Sequence, residues 1–565
     1  MEANLWMQWS RLAEQDPARD AIIHWVDDRA DFRWRRDDLL REATQAAAWL
    51  KERGVKAGDV CALIIRHEPR FYPLYIGVVR LAAIPAVLAY PNARIHPDKY
   101  VDGLVGMSRR SGLDWVLTEQ ALEPVVGSLV SRPDSSVKGI LLPLEGEWPV
   151  HPEDSLEPLE VDPRSPCLLQ HSSGTTGLQK GVVLSHTAVL GHVQAYAEAV
   201  NLQPTDRVVS WLPLYHDMGM IAAFHLSLAA GIPLVQMDPF QWVSAPGLLF
   251  EAISREGGTL TWLPNFAYNI LADRVHGDDL AAVRLDGMRL FVNCSEPVRS
   301  ESHQRFLDHF AIAGARPSML GACYAMAETT FAATQTEPGV PAKVLHVDRD
   351  QLARGRVVPA AANGSTRTCV SSGQPIRGCD LFVVGDDGAI LGPGQVGELV
   401  IQSEWMFDGY RNNPEDTRQS LRSNQYFTGD YGFTLGGEWF VIGRKKDIII
   451  VAGKNLYPED VEDALLGVQG VLPGRVVAFG LDDGTTGTEE VAVVAETEFR
   501  GEKERKALKR AILMAGMAVD VTISKVFLVD PRWLIKSSAG KPSRKANKQR
   551  VLDELLTTPR ETHDL

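Results

Sequence analysis

Cysteine, positive charge and uninterrupted apolar sequence are all scarce in this 565-residue chain. Its six cysteines, at positions 61, 167, 294, 323, 369 and 379, are scattered and form no CxxC pair. That pattern argues against a disulfide framework and a cysteine zinc site, and it predicts a reducing, cytoplasmic setting. Lysine and arginine number 58 against 72 aspartates and glutamates, a formal net charge of -14. Sequence-independent binding to nucleic acid is thereby disfavoured. An anionic ligand would have to be met by local donors, because the field of the whole chain repels it. The most apolar stretch, 71–91, is broken by Arg80 and Pro85. It is too short to cross a bilayer, so no stable membrane insertion is expected. The N-terminal stretch Met1-Glu2-Ala3-Asn4-Leu5-Trp6 has neither a basic nor a long apolar segment, and no signal peptide is read there. There is no internal repeat.

What is present fits a globular chain. Apolar residues at 45% and charged residues at 23% are ordinary, and the length exceeds one hydrophobic core, so two or three lobes are expected. Residues 39–50 and 71–81 have helical character, and 60–65, 86–89 and 115–117 are compact apolar runs. Strands alternating with helices predict parallel sheets with helices on their faces. Residues 131–165, rich in Pro, Ser and Glu, read as a surface connection.

The most informative stretch is Gln170-His171-Ser172-Ser173-Gly174-Thr175-Thr176-Gly177-Leu178-Gln179-Lys180-Gly181. Apolar runs at 166–169 and 182–184 flank it, which reads as strand, loop, strand. Its glycines can turn backbone N–H groups towards one point, its hydroxyls add donors, and Lys180 adds a point charge. Such a nest suits phosphate oxygens. A Gly/Ser turn between two strands has the same composition. The phosphate loop of kinases and GTPases does not fit, because here Gly181 opens a strand rather than a helix.

The loop resembles the phosphate loop of the adenylate-forming enzymes, a superfamily that includes acyl-CoA synthetases, peptide-synthetase adenylation domains, luciferases and fatty acyl-AMP ligases. Gln179 stands where that family usually has proline. Further stretches resemble family motifs in the right order. They are Trp211-Leu212-Pro213-Leu214-Tyr215-His216-Asp217-Met218-Gly219, Pro264-Asn265-Phe266-Ala267-Tyr268, Asn293-Cys294-Ser295-Glu296-Pro297, Tyr324-Ala325-Met326-Ala327-Glu328, Thr428-Gly429-Asp430, Gly443-Arg444-Lys445-Lys446-Asp447 and Lys536-Ser537-Ser538-Ala539-Gly540-Lys541. The first two narrow the likeness to fatty acyl-AMP ligases.

The resemblance implies an α/β adenylate-forming fold. A large N-terminal domain of layered subdomains (1–446) would bind ATP and the acyl substrate, and a small mobile domain (447–565) would carry the catalytic lysine. It implies ATP and magnesium as cofactors. Ser172, Ser173, Gly174, Thr175, Thr176, Gly177 and Lys180 would hold phosphates. Ser295, Glu296 and Pro297 would lie against adenine, and Tyr324 would stack on it. Asp430 would accept the ribose hydroxyls, Arg444 would reach ribose or α-phosphate, and Lys446 would be the pivot. Glu328 would hold magnesium, His216 would contact or gate the acid, and Lys541 would neutralise charge in the reaction. The polar stretch 338–370 resembles an insertion of fatty acyl-AMP ligases that restrains the small lobe and disfavours CoA chemistry, and it reads also as an ordinary surface loop.

The implied activity is activation of a fatty or similar lipophilic acid to acyl-adenylate, then transfer to a carrier-protein phosphopantetheine thiol. CoA is the alternative acceptor, and a non-catalytic nucleotide-binding relative is the alternative of another class. The small residues after His216, from Gly219 to Gly231, suit either an acyl chain or helix packing. The basic run 536–550 suits either a solvated face or an acidic carrier.

Overall fold

The computed structural model describes residues 2–26, 32–91, 97–150, 156, 159–171, 179–362, 364–451, 454–483, 488–519, 521–536 and 542–556. The alternation read from the sequence becomes stacked α/β layers. In the four-stranded sheet, Ile84–Val87, Val60–Ile64, Trp115–Thr118 and Gly139–Leu141 lie side by side, all parallel. Its central strand shows the two-residue period of a strand buried on both faces. Cys61 and Leu63 join the large core with helices Arg36–Glu52 and Phe71–Arg80, and Val60, Ala62 and Ile64 join a second cluster with Val101, Leu104 and Val126.

The strand Gly139–Leu141 corrects the expectation that 131–165 is only a surface connection. Its partner is Trp115–Thr118, and Lys138 beside it pairs with Asp59 and Asp114, each at 2.9 Å. The strand expected at 86–89 runs from Ile84 to Val87.

The nine-stranded sheet carries the parallel neighbours Leu320–Ala325, Leu290–Asn293, Leu260–Leu263, Val208–Ser210, Leu234–Gln236 and Asp20–His24 in that order. Pro166–His171 and Gly181–Ser185 pair antiparallel around the glycine-serine loop, and Ser185 caps helix His186–Ala199 through the Ala188 N–H, at 3.2 Å. A five-stranded sheet includes Gln425–Leu435 and Glu438–Arg444.

Beyond the turn Lys445–Asp447, a three-stranded sheet (Val476–Asp483, Thr488–Glu496, Ile523–Val529) has its own core on each face. Val476 and Ala478 face one way, and Val477 and Phe479 the other. The polar stretch 338–370 folds as an antiparallel pair, Val344–Asp348 with Thr366–Val370, bearing helix Arg349–Ala353. No helix among the described residues is long and apolar enough to cross a membrane.

The layers bury several imidazoles. Burial lowers the pKa of His171, His186 and His303 to about 4, and that of His192 and His225 to about 3. These groups stay neutral in the fold and take up protons once unfolded. The unfolded state then binds more protons below about pH 6.5, so stability is full above that value and falls as pH drops towards 4. Each such histidine costs on the order of 2 kcal/mol between pH 7 and 5. The melting temperature is therefore expected to fall steeply below pH 6. A flat profile from pH 7 to 5, measured by circular dichroism, would contradict the burial of these rings.

Candidate active site

Four parallel neighbours, Val208–Ser210, Leu260–Leu263, Leu290–Asn293 and Leu320–Ala325, end at one edge of the large sheet. The segments that follow them contain His216, Phe266, Ser295 and Glu328. A crevice outside the carboxyl ends of such strands is where α/β sheets receive ligands.

The turn at 294–297 is held by a buried polar network. Asn293 Nδ2 donates to Asn265 Oδ1 at 3.0 Å and lies 3.0 Å from the neutral His303 ring. The Arg299 N–H closes the turn onto Asn265 Oδ1 at 3.1 Å. Ser295 sits at φ +68°, a conformation that costs a residue with a Cβ about 1 kcal/mol or more. Glu296 Oε2 accepts the Phe266 N–H at 3.0 Å, so this carboxylate braces the start of helix Asn265–Arg274. Pro297 follows in the same turn.

His216 stands beside Tyr215, ring centroids 4.8 Å apart, and its carbonyl accepts the Met220 N–H at 2.8 Å. Gln170, at the entry to the glycine-serine loop, donates to the Tyr215 carbonyl at 2.9 Å. The two predicted motifs are therefore joined. Downstream, Met218–His225 is wholly buried. A Cβ on Gly219 would meet the Pro213 oxygen at 2.4 Å, so the small residue there serves close packing.

Tyr410 ties together two predicted residues that sequence reading left separate. Its hydroxyl donates to Glu328 Oε1 at 2.8 Å. Its ring lies 4.5 Å from Lys180 Nζ, which also pairs with Asp416 at 3.0 Å. Gly409–Tyr410 is itself a strand, paired with Val182 and Val183 on the exit from the loop. The Phe407 N–H donates to the Glu328 carbonyl at 2.9 Å. Two residues on, Thr330 holds φ +66° and ψ −51°, a strained conformation for a β-branched residue, with its hydroxyl bonded to the Trp405 carbonyl at 2.8 Å.

Asp430 is the centre of the second group. Tyr324 donates its hydroxyl to Asp430 Oδ2 at 2.6 Å, and Arg444 Nε meets Oδ1 at 3.1 Å. Burial, then Asp430, raises the Tyr324 pKa, so its proton stays on. Asp430 in turn raises that of Arg444. Lys446 lies on the turn Lys445–Asp447, and burial with the neighbouring Arg444 lowers its ammonium pKa. The Tyr410 and Tyr426 hydroxyls, 3.5 Å apart, link this group to Glu328, since Tyr426 shares a strand with Asp430. Ser172, Ser173, Gly174, Thr175, Thr176, Gly177 and Lys541 lie outside the described residues.

A family model for AMP-binding enzymes matches residues 9–411. The chain belongs to the AMP-binding enzyme family. Among its relatives, a putative acyl-CoA synthetase of Caulobacter vibrioides is 29% identical over 91% of this chain and 89% of its own length. The long-chain-fatty-acid–AMP ligase FadD26 of Mycobacterium marinum is 28% identical over 86% of each chain. In fold, this AMP-binding enzyme matches one of the fatty acyl-adenylate ligases of E. coli and L. pneumophila. That match has a TM-score of 0.89 at 23% identity and covers 98% of this chain and 99% of the other.

Tyr410→Phe removes only the hydroxyl given to a carboxylate and is expected to lower stability by about 1.5–3 kcal/mol. Tyr410→Leu also removes the ring beside Lys180 and should cost roughly 0.5–1 kcal/mol more. Equal urea midpoints for the two variants would mean that Lys180 gains nothing from the ring.

Proposed function

We propose that this AMP-binding enzyme activates a fatty or similarly lipophilic carboxylic acid. The acid's carboxylate attacks the α-phosphorus of ATP, the bond to pyrophosphate breaks, and an acyl-adenylate results. A carrier-protein phosphopantetheine thiol then takes the acyl group and releases AMP. One observation carries the reading: Lys180, Tyr410 and Glu328 form one contact chain, which reaches the Tyr324–Asp430–Arg444 group through Tyr426. These contacts join Lys180, Glu328 and Asp430 in one connected cluster, which supports the reading.

In this reading Ser172, Ser173, Gly174, Thr175, Thr176, Gly177 and Lys180 hold the β- and γ-phosphates. Asp430 accepts the ribose hydroxyls. Its Oδ2 takes the Tyr324 hydrogen bond and its Oδ1 the Arg444 ion pair, and each oxygen has lone-pair capacity left to offer. Tyr324 and the turn Ser295-Glu296-Pro297 bound the adenine, and Arg444 reaches ribose or α-phosphate. His216 contacts or gates the acid. It has no proton to remove, because a carboxylic acid is already ionised at neutral pH.

Glu328 fits magnesium. Only its Oε1 is hydrogen-bonded among the described residues, which leaves Oε2 for a cation. One carboxylate from the protein is enough for a magnesium ion whose other ligands would come from the phosphates and water. Magnesium would supply charge neutralisation at the phosphates. Lys541, on a segment pivoting at Lys446, would neutralise charge between carboxylate and α-phosphate. The domains would be 1–446 and 447–565.

The name of the FadD26 relative speaks for an acyl-AMP ligase and that of the Caulobacter relative for CoA as the rival acceptor. The hairpin 344–370 supports the carrier thiol. Arg367 Nε pairs with Asp460 at 3.0 Å, and Arg349 donates to the Val519 carbonyl at 3.1 Å, so the hairpin grips the segment proposed to move.

Lys541→Ala is expected to lose at least ~100-fold in acid-dependent pyrophosphate exchange, by analogy with removal of a preorganised charge donor. Acyl transfer from supplied acyl-adenylate should be spared. A near-wild-type exchange rate would reject the lysine's role. Nucleotide binding with no exchange across an acid panel would instead support a non-catalytic binder. Offering carrier thiol and CoA together tests the acceptor, and robust CoA turnover would overturn the preference for the carrier.

A further inference from the structure

Three of the six basic groups in the run 536–550 are committed within their own segment. Arg544 pairs with Asp447, Glu459 and Glu462 at 2.8 to 2.9 Å. Lys536 donates to the Gly474 carbonyl at 3.1 Å, and Arg550 meets Glu554 at 2.9 Å and the Trp533 carbonyl at 2.6 Å. An acidic partner would find little free charge on these three side chains.

Helix Glu502–Met517 differs. Leu508, Ile512 and Gly516 are buried on the lobe's core. Lys503, Lys506, Arg510, Met514 and Met517 recur every three or four residues and are all exposed, so they share the outer face. Met514 and Met517 are each 64% exposed, and Leu513 beside them is 36% exposed. The helix holds five basic residues (503, 505, 506, 509, 510) and two acids (502, 504) in a chain whose net charge is -14. Its outer face is thus a basic stripe running into an apolar patch. The chain just beyond it meets the hairpin, through Arg349 and the Val519 carbonyl.

We propose that this face docks the carrier protein, through an acidic surface with an apolar centre. The inference rests on the carrier-thiol reading of the proposed function. Charge of opposite sign speeds encounter and fixes orientation, and methionines repack readily against a helix. A bilayer is the poorer occupant. The patch has three apolar residues and no aromatic, and two glutamates stand at the helix start.

The test uses the full-length enzyme with an acidic, phosphopantetheinylated acyl carrier protein, with free pantetheine as the small-thiol control. The triple variant Lys503→Glu, Lys506→Glu, Arg510→Glu should raise KM for the carrier by at least ~10-fold at low salt, with the gap narrowing as salt rises. Pyrophosphate exchange and transfer to pantetheine should be unchanged. Met514→Ala with Met517→Ala should raise the same KM with no salt dependence. An unaltered carrier KM in both variants overturns the docking face. So does lost flotation with phosphatidylglycerol vesicles alongside unaltered carrier transfer, which would assign the face to a membrane. Wild-type enzyme that acylates CoA and no carrier overturns the acceptor reading, and the docking proposal with it.

Discussion

The hydrogen bond from Tyr410 to Glu328 is the constraint on which the candidate site depends. It joins residues 82 positions apart and lies at a three-way junction. The strand leaving the glycine-serine loop is paired on one side with the strand entering it and on the other with Gly409–Tyr410. The position of Lys180 therefore follows from two backbone ladders, and the position of Glu328 from the same tyrosine. A loop between two free strands would leave Lys180 and Glu328 in no fixed relation. Here one aromatic ring sets both, by a charge-assisted hydrogen bond through its edge and a cation beside its face.

The chain's acidity sharpens this point. With a net charge of -14, long-range attraction cannot bring in a nucleotide. Whatever is gained must come from short-range donors already in place. The Asp430–Arg444 pair and the Lys180–Asp416 pair hold two cations beside the site while each keeps a carboxylate partner. In the proposed reading, an incoming phosphate would exchange one anionic partner for another rather than meet a bare cation. That lowers the reorganisation needed on binding and limits the affinity the pairs can give.

Local pattern made much of the fold legible. The compact apolar run at 60–65 becomes the strand Val60–Ile64, Ser185 caps its helix, Gly181 opens a strand, and Pro458 stands in the first turn of helix Pro458–Ala464 with Glu459 and Asp460. Each of these is decided within a few residues. What escaped was decided between distant segments. The strand Gly139–Leu141 exists because Trp115–Thr118 offers a parallel edge, and nothing near 139 announces it. Tyr410 looked like one aromatic among twelve tyrosines until its partner at 328 was in place. The brace at Glu296 depends on Phe266, thirty residues earlier. Arg544, one residue of the basic run 536–550, gave no sign of its partners because the carboxylates that hold it lie 82 or more positions before it.

The junction between the hairpin and the C-terminal segment shows which force holds it. The Arg367 and Asp460 side chains are each 10% exposed and look like a latch. A buried ion pair is a poor latch when both partners can leave together. Separation rehydrates both charges, and that gain roughly offsets the attraction lost. Burial raises the Asp460 pKa despite the arginine beside it, which shows how much of the attraction desolvation consumes. The holding energy has to come from apolar contact. Tyr457 packs into one cluster with Val347, Leu352, Tyr431, Phe433, Phe440 and Ile442, and its ring also carries the Arg367 guanidinium at 4.6 Å. Moving the segment would expose that ring and its neighbours, at ~25 cal/mol for each Å² of apolar surface. The ion pair then sets the register in which the segment docks, and the tyrosine sets how firmly it stays.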